Sequence, residues 1–451
     1  MARPVQERGT DVALSRNLVV CLLVAAAIRL GWVLAIGVDP RANFHFDMTW
    51  YDLAALTLLD GRVLTSPEGV ATAFWPPGYP ALLATAYAVF GASIRTAQGL
   101  NVALACLTCW FTHALALRVC RESGHAQVCA LGAAAIVAIF PGYVFFAPLT
   151  LSENAFIPLL CGLLLLFVRF QDSTSARPFP HWCGFGALLG VAMLTRGAAS
   201  LFFAVPIAFW WFETRSARTV GIRAAALALG VAVVVLPWTT RNVLTMGSPV
   251  IVSTSVGMAL TYAHSPVADG SESLRMVSYR RNLLEALQSL PNPQREVREM
   301  QLGVQAALRY ALSHPLRELS LIPRRLFFLF QHDHAGLDWA IPQGAPVAGA
   351  AGMISGSIDR VLGAIASVFF WVVCGLAMVG GWARRRDTGV QILIVTVGYF
   401  VVLHGVLFVG NPRYHAPLYP VLAVLAAIGC STLYHLRSTQ PTRRAKPAEL
   451  G

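Results

Sequence analysis

The sequence predicts an all-α protein that crosses a membrane about ten times, and three observations carry this. Of 451 residues, 56% are hydrophobic and only 12% are charged, a balance outside the soluble classes. Apolar runs long enough to cross a bilayer recur from one end of the chain to the other. The arginine clusters flanking them all fall on one side when the runs are threaded alternately out and in. The net charge of +12 is carried almost wholly by arginine, with Lys446 the only lysine. A basic nucleic-acid binder is excluded, because the arginines lie between apolar runs and build no polar domain.

The first run, 17–37, follows Arg3, Arg8 and Arg16 and lacks a small-residue cleavage site. It reads as a retained span that starts in the cytoplasm. Arg29 lies inside it, about two turns from the outer end, and is expected to snorkel outward or to pair with an acid of the next loop. Residues 44–80 follow, FHFDMTWYDLAALTLLDGRVLTSPEGVATAFWPPGYP. Asp47 and Tyr51, at i and i+4, share a face of a short amphipathic helix expected over 47–60. Gly61 is its stop, and Leu53, Ala55, Leu56 and Leu59 rest on lipid or protein. WPPGYP then bends the chain: prolines preset the turn, Gly78 permits a tight bend and Pro80 starts a helix. The apolar run 80–90 is short for a crossing and is expected to be juxtamembrane or re-entrant. A crossing there would place every later arginine cluster outside.

Residues 97–119 then run inward to Arg118 and Arg121, 128–148 outward, and 155–170 inward to Arg169 and Arg177. The run 184–195 goes out, 198–212 returns to Arg215, Arg218 and Arg223, and 224–238 goes out. Last come 361–382, ending at Arg384, Arg385 and Arg386, then 390–409, and 416–434 before a basic tail. The expected organisation is an N-terminal membrane module 1–240 with a functional first outer loop 38–95, and an outer region 241–357 with short and juxtamembrane helices. C-terminal spans 358–436 and a cytoplasmic tail 437–451 complete it. In the outer region, 275–313 reads as helix with a solvated face and 316–330 as a membrane-surface helix. Nine scattered cysteines make no disulfide framework, and Cys106 and Cys109 read as core residues of a span despite their CxxC spacing. No repeat of fixed period is present, which weakens a repeat-built transporter.

On this topology ionisable groups gather at the outer ends of spans: Asp47, Asp52, Glu153, Arg196, Arg241, Arg413 and His415. An acid at the rim of a lipid-embedded cavity is costly unless it faces water or a partner, and outer arginines run against the positive-inside bias. A phosphate-bearing ligand at the membrane boundary accounts for them, because the guanidinium fork matches phosphate oxygens. The competing reading is ion pairing with Asp47, Asp52 or Glu153. For Glu153 the competing role is at a helix N-terminus capped by Ser152; the functional one is orienting an acceptor or binding a metal. His332, Asp333, His334 and Asp338 have metal-like spacing, although one short HxH is a weak sign of a site.

Several of these residues fall in motifs. The chain resembles bacterial membrane glycosyltransferases of the GT-C fold, in the family of protein O-mannosyltransferases and aminoarabinose transferases (glycosyltransferase family 39). The resemblance rests on an ordered series: Asp47 with Tyr51, PPGYP at 76–80, LSE at 151–153, LTRG at 194–197, PWTTRN at 237–242, VSTSVGMAL at 252–260 and RYHAPLYP at 413–420. The family usually has a second acid after the first, where this chain has Met48. What the resemblance implies is a GT-C-like bundle with juxtamembrane helices in the first outer loop, a polyprenyl-phosphate-linked sugar donor and an acceptor on the non-cytoplasmic face. Asp47 would be the general base of an inverting transfer. Tyr51, Asp52, Tyr79, Glu153, Arg196, Arg241, Arg413 and His415 would contact substrate, the arginines holding the phosphate that leaves. The sequence requires no cofactor, leaves room for a divalent metal, has no Gly-rich phosphate loop and suggests no nucleic acid. The expected setting is a bacterial inner membrane, multi-pass, both termini cytoplasmic and the site outside. The rival is a transporter or flippase of a lipid-linked or anionic substrate. It predicts mid-span charges and helices broken in paired halves, whereas here the ions gather at outer ends.

Overall fold

The computed structural model describes residues 15–41, 46–62, 64–66, 69–122, 124–171, 178–341 and 356–438. Arg3, Arg8, Arg177 and the tail from 439 on lie outside the described residues. The helices are α1 Arg16–Ile36, α2 Phe46–Leu59, α3 Gly78–Phe90, α4 Ile94–Val119, α5 Ala126–Ile139, α6 Pro141–Phe145, α7 Glu153–Gln171, α8 Phe179–Thr195, α9 Ala204–Thr214 and α10 Ala217–Met246. They continue as α11 Ser255–Ala263, α12 Leu274–Leu283, α13 Gln294–Ser313, α14 Pro315–Phe330, α15 Ala335–Ala340, α16 Gly356–Ala383, α17 Thr388–Val402 and α18 Tyr419–Ser438. The only β pairing among the described residues is a single bridge between Thr65 and Ala71.

Eight helical stretches among the described residues are long and apolar enough to cross a membrane. With the shorter apolar helices α5 and α8 they match the ten runs threaded from the charge pattern. The remaining short apolar helix, α3, has 13 residues, about 20 Å of helix against a hydrocarbon layer of about 30 Å, and ends at Gly91, whereas the 14-residue α5 is extended by α6 directly after Phe140. Helix α3 lies against α2 instead, burying Tyr79, Leu83 and Tyr87. Spans pack where side chains vanish. A Cβ on Gly186 would fall 2.1 Å from Leu227 O, and one on Gly230 2.0 Å from Cys183 O, so α8 and α10 touch backbone to backbone. Gly380 and Gly429 do the same for α16 and α18. Small residues at such crossings replace the hydrophobic drive that lipid cannot provide.

Two local expectations change. Arg29 neither snorkels nor meets an acid. It is fully buried and donates to Val137 O (3.1 Å) and Ala138 O (2.7 Å), with its guanidinium 4.8 Å from the Tyr143 ring. Those carbonyls end α5, where Pro141 opens the next helix; Val137 O takes the Phe140 amide at 3.4 Å, and Arg29 adds charged donors to both carbonyls where the helical ladder runs out. The stretch 275–313 is not one helix. It divides into α12 and α13 around Pro291 and Pro293, whose rings remove amide donors. The surface helix expected at 316–330 forms as α14, exposing Leu316, Leu319 and Phe327 while burying Leu321, Arg325 and Leu329.

Candidate active site

The end of α2 explains the placement of its start. Arg62 N–H donates to Thr57 O and Gly61 N–H to Leu58 O, each at 3.0 Å, with Gly61 at φ +71°. This Schellman closure stops the helix ahead of the WPPGYP bend. There Gly78 fits directly against the end of α8, where a Cβ would fall 2.7 Å from both Leu194 O and Thr195 Oγ1. That contact brings the LTRG turn, and with it Arg196, alongside α2.

Arg413 is the hub of the cluster that results. It sits in the 3₁₀ turn Pro412–Leu418, opened by Asn411, whose Oδ1 accepts from the Arg413 amide at 2.9 Å. Its Nη1 donates to Asp47 Oδ2 at 2.6 Å. Nε binds Glu153 Oε1, and Nη2 binds Glu153 Oε2 at 3.1 Å, the bidentate arrangement that suits a fork to a carboxylate. The guanidinium lies 4.7 Å from the Trp339 ring centroid. Arg196 approaches the same carboxylate, with Nη1 3.0 Å from Glu153 Oε2 and 3.1 Å from Ser152 Oγ, and lies 5.7 Å from the Tyr414 ring. Two acids thus face two cations. Their exposures separate two kinds of group: Glu153 is at 0%, while the side chains of Asp47 and Arg196 keep 13% and 14%. Glu153 is the internal anchor; Asp47 and Arg196 form the open edge.

Tyr51, one turn after Asp47, is buried close to the Ser152 hydroxyl, and burial and then the Asp47 charge hold its phenol above the usual range. Tyr79 supports from behind. Its ring meets Tyr51 edge-on at 5.4 Å, and its hydroxyl donates to Asn101 Oδ1 at 3.0 Å. The Asn101 amide holds Ala147 O and Leu149 O, in the turn that leads into α7 and Glu153. Tyr79 therefore orients the chain that carries Glu153.

The other three expected site residues are not brought to this cluster. Asp52 lies about 140° round α2 from Asp47, a consequence of i, i+5 spacing. It is 1% exposed and takes Arg41 on both oxygens (2.7 and 2.9 Å) and the Tyr87 hydroxyl at 2.5 Å. Hydrogen bonding to Asp52 holds the Arg41 guanidinium above its ordinary range. Arg241 donates to Leu64 O at 2.6 Å, Thr72 O at 2.9 Å and Asn242 Oδ1 at 2.9 Å, and so pins the chain before WPPGYP. Glu296 holds the same stretch, accepting from Thr72 Oγ1 and the Ala73 amide. His415 is buried between Leu329 O (2.6 Å) and Asp333 Oδ1 (2.8 Å), and Tyr419 donates to that same oxygen at 2.5 Å. These residues meet groups that satisfy them locally. Sequence reasoning missed Trp339 and Tyr414, the rings beneath the two guanidiniums. Tyr414 was legible as the neighbour of Arg413; nothing in sequence joins Trp339 to it. A shallow cleft between Phe74, Thr254, Arg280, Glu296 and Met300 shares no residue with the cluster. The group of metal-type ligands found among the described residues, His332, His334 and Asp338, also lies outside it.

No family model matches the chain. No curated protein matches it. Among solved structures, it is similar to archaeal oligosaccharyltransferase AglB from Archaeoglobus fulgidus in complex with an inhibitory peptide and a dolichol-phosphate, at TM-score 0.51 and 15% identity, covering 95% of this chain and 52% of that one. The Archaeoglobus fulgidus oligosaccharyltransferase in its apo form gives TM-score 0.52 at 16% identity, covering 95% and 52%. ArnT from Cupriavidus metallidurans bound to undecaprenyl phosphate gives TM-score 0.45 at 13% identity, covering 93% and 78%. The chain spans about half the length of the oligosaccharyltransferases it matches. At these identities the likeness is one of fold, and the GT-C-like, all-α polytopic class expected from the sequence is the class found.

Proposed function

We propose that this protein is a membrane glycosyltransferase that moves a sugar from a polyprenyl-phosphate donor to an acceptor at the non-cytoplasmic face. The observation that carries the reading is Arg413, shared between a fully buried Glu153 and a partly exposed Asp47, with Arg196 on the same Glu153. Glu153 holds both guanidiniums at fixed positions. A donor phosphate entering the open edge competes with Asp47 for Arg413 Nη1, because guanidinium binds phosphate with the same fork geometry. Donor binding thereby releases Asp47 from its ion pair. Asp47 then takes the proton of an acceptor hydroxyl as that oxygen bonds to the sugar's anomeric carbon. The bond from that carbon to the phosphate oxygen breaks on the opposite face, its electron pair leaving with the phosphate. Attack opposite the leaving group inverts the configuration. The arginines stabilise the leaving phosphate, and positioning with fixed charge contributes most of the acceleration, since a carboxylate alone is a weak base.

This reading places the cluster on the outer side of a bacterial inner membrane, with both termini inside, as the arginine distribution requires. It also treats α2, the WPPGYP bend and Arg241 as the first outer loop. The gathering of charge at one edge of the bundle supports a transferase over a translocation path, which needs ions along its length. The test is direct. Purified protein is incubated with a radiolabelled polyprenyl-phosphate sugar and candidate acceptors, and product is resolved from donor. Labelled product that depends on Asp47 supports the proposal. Donor that crosses a proteoliposome membrane without being cleaved identifies a flippase instead.

A further inference from the structure

The segment between α14 and α15 carries a second constellation, which the proposed transfer does not use. His332 and His334 stack, with centroids 3.8 Å apart and planes 17° from parallel. Asp338, one turn on in α15, brings Oδ2 to 3.9 Å from His334 Nε2. One ligand atom from each of the three lies within 4.8 Å of the others. A neighbouring serine fixes how His334 presents itself. Ser367 has one hydroxyl hydrogen and gives it to Gly363 O at 2.8 Å. Its oxygen therefore accepts from the Asp333 amide at 3.3 Å and from His334 Nδ1 at 3.4 Å. A neutral His334 then keeps its hydrogen on Nδ1 and turns the Nε2 lone pair toward Asp338. His332 Nδ1 is buried with no hydrogen-bond partner, a costly state for a ring nitrogen that binds nothing. Asp359, in the first turn of α16, adds a carboxylate whose charge acts on Asp338.

We propose that His332, His334 and Asp338 form a binding site for a divalent cation of the zinc class. Two imidazoles and a carboxylate at about 2.0–2.2 Å are a zinc donor set, and the Ser367 oxygen on His334 Nδ1 is the outer partner that such a histidine ordinarily has. Magnesium and calcium are disfavoured, because they take oxygen ligands. A tetrahedral shell needs ligand atoms about 3.3 Å apart and in-plane imidazole lone pairs that converge, so the two near-parallel rings must turn toward one point and the group must draw in. Asp338 is the member free to do so, its side chain being 46% exposed on a six-residue helix. The fourth position is left to water or Asp359. The site acts as a clip. Its three ligands all lie in 332–340 and fix the conformation of that strap, Asp359 as fourth ligand tying it to α16 as well; the strap carries Asp333, bonded to His415 and Tyr419, and Trp339, beneath Arg413. The metal positions the strap; it is not assigned a part in the bond-breaking step.

The test reads binding, so it stands whether or not the transferase reading holds. Full-length protein purified without a polyhistidine tag is stripped with EDTA, desalted, loaded with ZnCl2 and desalted again. One retained zinc per chain and a raised melting temperature are expected. Loading CoCl2 instead should give visible d–d bands without the charge-transfer band of a sulfur ligand. His334→Ala and Asp338→Ala each abolish retention, while His314→Ala, at an exposed histidine elsewhere, leaves it intact. Ser367→Ala preserves every ligand but frees the His334 tautomer, and weakens zinc affinity about 10- to 100-fold. Wild-type protein that releases all its zinc on desalting overturns the proposal. So does undiminished retention by the His332→Ala/His334→Ala double variant, which would place the metal elsewhere. If that double variant fails to fold, Ser367→Ala decides: unchanged zinc affinity overturns the site.

Discussion

Asp52 and Asp47 stand on one helix, yet the fold surrounds them differently. Asp52 has a closed set of partners from nearby in the chain, Arg41 on both oxygens and Tyr87 at 2.5 Å, and is 1% exposed. Asp47 relies on Arg413, 366 positions away, and shares that arginine with Glu153. A carboxylate whose donors are its own can only hold structure together. One that shares a donor with a better-seated rival can be displaced by a third anion at modest cost. The difference separates a stitch in α2 from a group able to act.

Asp47→Asn tests that contrast with the largest effect. The side chain stays nearly isosteric, so turnover should fall about 100- to 10,000-fold with the melting temperature little changed. Near wild-type turnover, measured with labelled donor, would break the comparison. Arg413→Ala comes next, because it strips Glu153, at 0% exposure, of its bidentate partner. Arg196 stays 3.0 Å from Glu153 Oε2, so the buried charge keeps one partner and the cost stays below that of a fully unpaired ion, about 3–5 kcal/mol, visible as a lowered melting temperature. Arg413→Lys sharpens the reading: it keeps a charge and loses the fork, so equilibrium binding of polyprenyl phosphate should weaken in protein that still folds. Asp52→Asn should lower stability by about 1.5–3 kcal/mol while turnover per folded molecule stays within a few-fold. A loss of turnover matching that of Asp47→Asn would erase the distinction. Arg241→Ala is the smallest. It frees Leu64 O and Thr72 O, about 0.5–1.5 kcal/mol for each bond, and should speed limited proteolysis between Gly61 and Phe74.

Much of this was legible in the sequence, for reasons specific to each element. The spans and α2 were readable because hydropathy, helical period and glycine stops act over a few residues. Asp47, Tyr51, Glu153, Arg196 and Arg413 were readable as a group because each is a polar residue beside an apolar run, on one side of the predicted membrane. Asp52, Arg241 and His415 satisfied the same criterion and went elsewhere, since a position at the membrane boundary says nothing about direction around a helix. Arg29 shows the same limit: its partners are carbonyls at the end of α5, which any sequence supplies.

By itself the sequence determined the class of fold, because the cost of moving apolar or charged groups between lipid and water is set residue by residue. Tertiary structure alone decided which acid meets which arginine. Glu153 and Arg413 are 260 positions apart. Their meeting depends on the start of α7 packing directly against the turn Pro412–Leu418, a property of packed elements rather than of any one of them.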